Sequence, residues 1–136
     1  MQWFKAWLAG FLATLVFHQA VFGVFWLLGA VPAPPFALDP VGPLGIPKVI
    51  SLAFWGGVWG LPAWALIRRA QGGSYWLRAI LFGAIGPTAV AMLVVFPLKG
   101  LPVTVTTVIG GVLVNSAWGL GVGLLMRLFG TKFASR

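Results

Sequence analysis

AWLAGFLATLVFHQAVFGVFWLLGA, Ala6 to Ala30, runs for 25 residues without a formal charge. As a helix rising 1.5 Å per residue it spans a hydrocarbon core of ~30 Å with length to spare for tilt. His18 and Gln19 stand in its middle, the pair in the segment least compatible with lipid. Steps of four back from His18 reach Thr14, Gly10 and Ala6, so small and polar residues share one stripe of the helix. That stripe needs partners, and the remaining apolar segments supply them.

Three more such segments follow, about 48–67, 78–98 and 103–129, against about 6–30 for the first. The expected fold is therefore an all-α membrane protein. Residues 1–136 form one domain of four transmembrane helices, arranged as helical hairpins packed through stripes of small residues. Composition demands the same solvent. Of 136 residues, 60% are hydrophobic and 7% charged, with Asp39 the one acid; a soluble domain carries about 25% charged residues. The apolar run of segment one exceeds the ~7–15 residues of a signal-peptide core, which favours a retained anchor.

Charge sets the expected topology. Lys5, Arg68, Arg69, Arg78, Arg127, Lys132 and Arg136 fall on one side of the four segments, and Lys48 and Lys99 on the other. Basic loops stay inside, so both termini are expected in the cytoplasm of a bacterial inner-membrane protein. The net charge of +8 is scattered over segment ends rather than gathered in a groove. It suits anionic lipid and not nucleic acid.

Residues 31–47, VPAPPFALDPVGPLGIP, hold six of the ten prolines. Proline lacks a donor and fixes φ, so short extended pieces and turns are expected, not regular helix or sheet. Phe36, Leu38, Val41, Leu44 and Ile46 make this outer loop apolar. It is expected to fold over its own helix ends or to serve as a docking surface or lid.

Helix packing is legible as small residues at intervals of four. Gly10 lies in segment one, Gly56 and Gly60 in segment two, Gly83 in segment three, and Gly111, Gly119 and Gly123 flank Asn115 in segment four. Pro62 and Gly86-Pro87 are expected kinks, and Tyr75 and Trp76 expected interfacial anchors. An internal repeat, GGVxxxxAW, joins Gly56-Gly57-Val58 and Ala63-Trp64 to Gly110-Gly111-Val112 and Ala117-Trp118. It implies two parallel hairpins.

The chain has no cysteine and no second carboxylate. Thiol chemistry, cysteine-ligated metals and paired-carboxylate catalysis are excluded, and no enzymatic activity is expected. The candidate polar site is Thr14, His18, Gln19, Thr88 and Asn115, groups that must face the bundle interior because hydrocarbon offers them no partner. These residues can act as hydrogen-bonding glue between helices, or as a midplane site for a small molecule, ion or proton. No metal or cofactor is expected; haem at His18 would need Met92 or a second protomer's histidine.

Gly111-Val112-Leu113-Val114-Asn115, with Gly119 and Gly123, resembles one helix of the small four-helix fluoride channels, in which an Asn within a Gly-rich segment helps line a pore. Segment one lacks their Gly-Ala-x-x-Arg, no Thr-Thr-Phe-Ser run is present, and the charge bias here is strong where theirs is weak. The shared feature is thus close helix packing. Small multidrug exporters match in length and helix number, but their membrane-embedded glutamate has no counterpart. The sequence supports a small non-enzymatic membrane component acting in assembly, as a homo-oligomer or within a larger complex. The alternative is a small oligomeric transporter or channel using His18, Gln19 and Asn115.

Overall fold

The computed structural model describes residues 1–130; Lys132 and Arg136 of the basic tail lie outside the described residues. Four helices are long and apolar enough to cross a membrane: α1, Gln2–Leu27; α2, Lys48–Ile67; α3, Gly72–Leu98; and α4, Val105–Leu128. A two-residue antiparallel ladder, β1 (Pro40–Val41) with β2 (Ile46–Pro47), lies in the loop between α1 and α2. Glycines at positive φ, Gly42 and Gly45, turn the chain between its strands.

The structure moves both ends of the first segment, α1 ending at Leu27, and the start of the third. α1 begins at Gln2, and α3 begins at Gly72, six residues before Arg78. Tyr75 is accordingly not an interfacial anchor. It is fully buried, and its hydroxyl donates to the Gly123 carbonyl oxygen at 2.7 Å. A glycine at 123 leaves that carbonyl open to a ring from α3; the nearest ring atom lies 3.3 Å from where a Cβ would stand.

Helix runs on through Pro62 and Pro87. The irregular turns fall elsewhere, as π-helical segments at Thr14–His18 in α1 and Ala91–Val95 in α3. A π turn inserts one residue and shifts the register of everything beyond it. Each odd-numbered helix therefore presents one stripe to its partner below the π turn and another above it.

Within each hairpin the backbones touch. A Cβ on Gly10 would collide with the Gly56 carbonyl, and one on Gly60 with the Ala6 carbonyl. In the second hairpin Gly83 meets the Asn115 carbonyl, and Gly119 the Ala79 carbonyl, in the same pattern. Only glycine allows this approach, which gives the van der Waals contact that drives helix association in lipid.

These matched contacts correct the register of the internal repeat. Gly10 corresponds to Gly83, Gly60 to Gly119, and Gly56 to Asn115 rather than to Gly110. In that register the sequence itself aligns. Trp3-Phe4-Lys5-Ala6-x-Leu8-x-Gly10 matches Trp76-Leu77-Arg78-Ala79-x-Leu81-x-Gly83. Val49-Ile50, Trp59-Gly60-Leu61 and Arg68 match Val108-Ile109, Trp118-Gly119-Leu120 and Arg127 at identical spacing.

The hairpins then pack together. The core gathers at the basic end, where Ala6, Ala9 and Ala13 of α1 and Ala79 of α3 make room for Trp64, Tyr75, Trp118, Val122 and Met126. At that end the repeats exchange contacts. Lys5 donates to the Phe129 carbonyl at the end of α4 (2.7 Å), while its counterpart Arg78 reaches the Leu66 carbonyl near the end of α2 at 3.5 Å. A cation at a helix C-terminus satisfies carbonyls left over by the helix and opposes its dipole. Arg68 lies 5.3 Å from the Trp3 ring centroid, and Arg127 lies 4.9 Å from that of Trp76. The base of each hairpin is closed by the same cation–π pair.

Candidate functional site

The five candidate polar residues form separate groups. In the second hairpin Asn115 Nδ2 donates to Thr88 Oγ1 at 3.0 Å, across the α3–α4 contact. Thr88 is buried, and Gly111 lies one turn before Asn115 with Thr88 and Met92 against it. Gly119 and Gly123 continue the same face of α4 against Ala79, Tyr75 and Trp76. The amide thus has a partner at the place where the glycine stripe brings the helices closest.

In the first hairpin Thr14 occupies the corresponding height, its side chain seated against Gly56. It donates to its own helix, to the Gly10 carbonyl at 3.0 Å. The indole Nε1 of Trp118 donates to that same carbonyl, also at 3.0 Å, from α4. Gly10 therefore joins three helices: its missing side chain admits α2, and its carbonyl holds α4. In the sequence Trp118 stands out only as part of the repeat. A tryptophan whose ring lies at a hairpin's tightest level, opposite a glycine of the other hairpin, is the signal that could have pointed to it.

His18 and Gln19 stand apart from both groups. Gln19 Nε2 lies 3.4 Å from His18 Nδ1, and with Nδ1 as the acceptor the amide donates to the ring. Gln19 is 5% exposed, and its Oε1 accepts the Phe36 backbone N–H at 2.7 Å. The proline loop therefore descends along α1 to the level of Gln19, with Pro35 packed on Gly23. From there it caps α2: the Ala37 and Asp39 carbonyls accept the N–H groups of Val49 (3.0 Å) and Lys48 (2.9 Å). A helix starts with unpaired N–H groups, and here loop backbone rather than a side chain meets two of them.

Gln19 thus anchors the loop and Asn115 pairs two helices, and among the described residues no hydrogen bond joins them through His18. Sequence alone could not supply Gln19's partner, because a backbone N–H 17 residues away has no signature in residue type. Phe36 pays for the arrangement with a left-handed backbone, φ +57°, which an L residue adopts at a cost of about 1–2 kcal/mol. Its side chain is left half exposed, and Leu38 and Leu44 are more exposed still.

Two clefts open on the surface of the described residues. One, of about 340 Å³, lies between α2 and α3 toward the basic end, lined by Leu66, Arg78, Leu81, Phe82, Ile85 and Gly86. The other, about 160 Å³, lies under the start of the loop between α1 and α4, against Phe25, Val31, Ile109 and Leu113. Both are lined mainly by apolar groups. Among the described residues no three His, Cys, Asp or Glu side chains come together as a metal site would require.

The fold defines a mostly helical chain consistent with a multi-pass membrane protein. No protein-family model, no curated protein and no solved structure matches it.

Proposed function

We propose that this chain is a small, non-enzymatic integral component of the bacterial inner membrane, with both termini cytoplasmic, and that it acts in the assembly of a homo-oligomer or larger membrane complex. The observation that carries this reading is the outer loop. Gln19, the caps on α2 and the β1–β2 ladder hold it in one conformation, and that conformation leaves Phe36, Leu38 and Leu44 turned outward. Exposed apolar side chains on a rigid loop lose little conformational freedom when a partner covers them. The transporter reading has less support. Its three residues do not converge, and the Asn115–Thr88 pair is satisfied internally, as glue requires.

Native mass spectrometry after extraction in a gentle detergent tests the proposal. An assembly larger than one chain is expected, and Leu38→Ser with Leu44→Ser should reduce it to monomer without lowering the melting temperature. A strictly monomeric wild type, or an assembly indifferent to both substitutions, would overturn it. Reporter fusions test the topology: an external C-terminus would contradict the seven-to-two distribution of basic residues.

A further inference from the structure

The cleft between α2 and α3 has a counterpart in the other repeat, and the counterpart is closed. Phe82 and Gly86 of the cleft correspond to Ala9 and Ala13, which are 0% exposed against α4. Ile85 corresponds to Leu12, and it is 65% exposed where Leu12 is partly buried. The cause lies in side-chain size. Where Gly121 lets the Phe17 ring lie on α4, the matching position of α2 is Pro62. Where Ala9 is small, Phe82 projects against Trp59, with ring centroids 5.9 Å apart. The cleft opens beside this aromatic pair.

Its dimensions and charge select an occupant. Gly86 is eight residues above Arg78, so the cleft rises ~12 Å from the basic end, within the ~15 Å depth of one leaflet. Arg78 stands at the mouth. Among the described residues of this end, Lys5 is engaged with the Phe129 carbonyl, and Arg68 and Arg127 lie over tryptophan rings. Arg78 is exposed, and its hydrogen bond to Leu66 is stretched to 3.5 Å. Arg69 lies exposed beyond the end of α2.

We propose that this cleft binds one acyl chain of an anionic phospholipid, whose phosphate meets Arg78. The inference rests on the reading that the four helices cross a bilayer, and not on which side the basic end faces. It adds a lipid site to that reading, distinct from the outer loop.

The test is lipid retention by native mass spectrometry, with phosphatidylglycerol and phosphatidylcholine of identical chains supplied in competition. Wild type should keep one phosphatidylglycerol in preference to phosphatidylcholine by about fivefold, the scale of one basic side chain near an anionic headgroup. Arg78→Gln should abolish the preference while the protein remains folded and monodisperse. Arg69→Gln should retain it, because that residue is outside the cleft. Gly86→Leu should fill the upper cleft and lose retention of both lipids, and Ile85→Trp provides the same blockade from an exposed position should Gly86→Leu fail to fold. Equal retention of the two lipids, an Arg69→Gln loss as large as that of Arg78→Gln, or retention by both blocked variants would overturn the site. Flotation of wild type with vesicles of either lipid separates this from the wider reading: a chain that floats with neither overturns the membrane assignment itself.

Discussion

Trp118 and Trp59 hold matching positions in the two repeats and have different surroundings. Trp118 is buried, and its indole bonds the Gly10 carbonyl across the α1–α4 interface. Trp59 packs on Phe82 beside a cleft. The same contrast holds along both interfaces. Inside the hairpins the repeats agree, glycine on backbone in each, because close approach tolerates no alternative. Between the hairpins they diverge, because interface shape depends on volumes at a few sites such as Ala9 and Phe82. A duplicated unit can thus preserve its fold while one of its two lateral surfaces opens.

The largest effect should come from the shared feature. Gly10→Leu and Gly83→Leu each place a side chain on a carbonyl of the neighbouring helix. Both should eliminate monodisperse protein on size exclusion, to the same degree. A folded Gly83→Leu beside a lost Gly10→Leu would show that the hairpins do not share one packing mode.

Next comes the loop anchor, which has no counterpart in the short α3–α4 connection. Gln19→Leu leaves the Phe36 N–H without its partner and should destabilise the chain by about 1–3 kcal/mol in reversible unfolding. It should also increase proteolytic cleavage within residues 36–44. Unaltered cleavage would mean that the loop is held by the α2 cap alone.

The tryptophans come third. Trp118→Phe removes one buried hydrogen bond and should cost about 1 kcal/mol, whereas Trp59→Phe should stay within roughly 0.5 kcal/mol. Equal costs would erase the contrast between the interfaces. Smallest is the polar pair of the second hairpin. Asn115→Leu and Thr88→Val should each cost about 0.6 kcal/mol, and the double variant less than their sum, because each removes the same bond. Strict additivity would show that the two side chains do not act together.

Much of this was legible in the residues. Segment lengths and missing charges give four helices, and glycines at intervals of four give the tight faces of α2 and α4. The repeat was visible too, but GGVxxxxAW aligned abundant residue types rather than contacts. The informative alignment pairs rare features, Lys5 with Arg78 and Trp59-Gly60-Leu61 with Trp118-Gly119-Leu120. The candidate site was less legible. Apolarity and charge say that His18, Gln19, Thr88 and Asn115 need partners, but not which ones. Gln19 bonds loop backbone, and the two π turns shift the register by an amount no periodicity records. Tyr75 misled because an aromatic near a basic turn usually marks an interface, whereas here Gly123 opens a buried acceptor.

The chain contains no native cysteine, so paired cysteines report one contact at a time. The central claim is that equivalent hairpins meet through unequal interfaces. Two double variants at matching positions test it: Phe17→Cys with Gly121→Cys across α1 and α4, and Val90→Cys with Pro62→Cys across α3 and α2. After mild oxidation in native membranes, disulfide formation read on a non-reducing gel should be extensive for the first pair and absent for the second. Equal yields, or a bond in the second pair alone, would contradict the account.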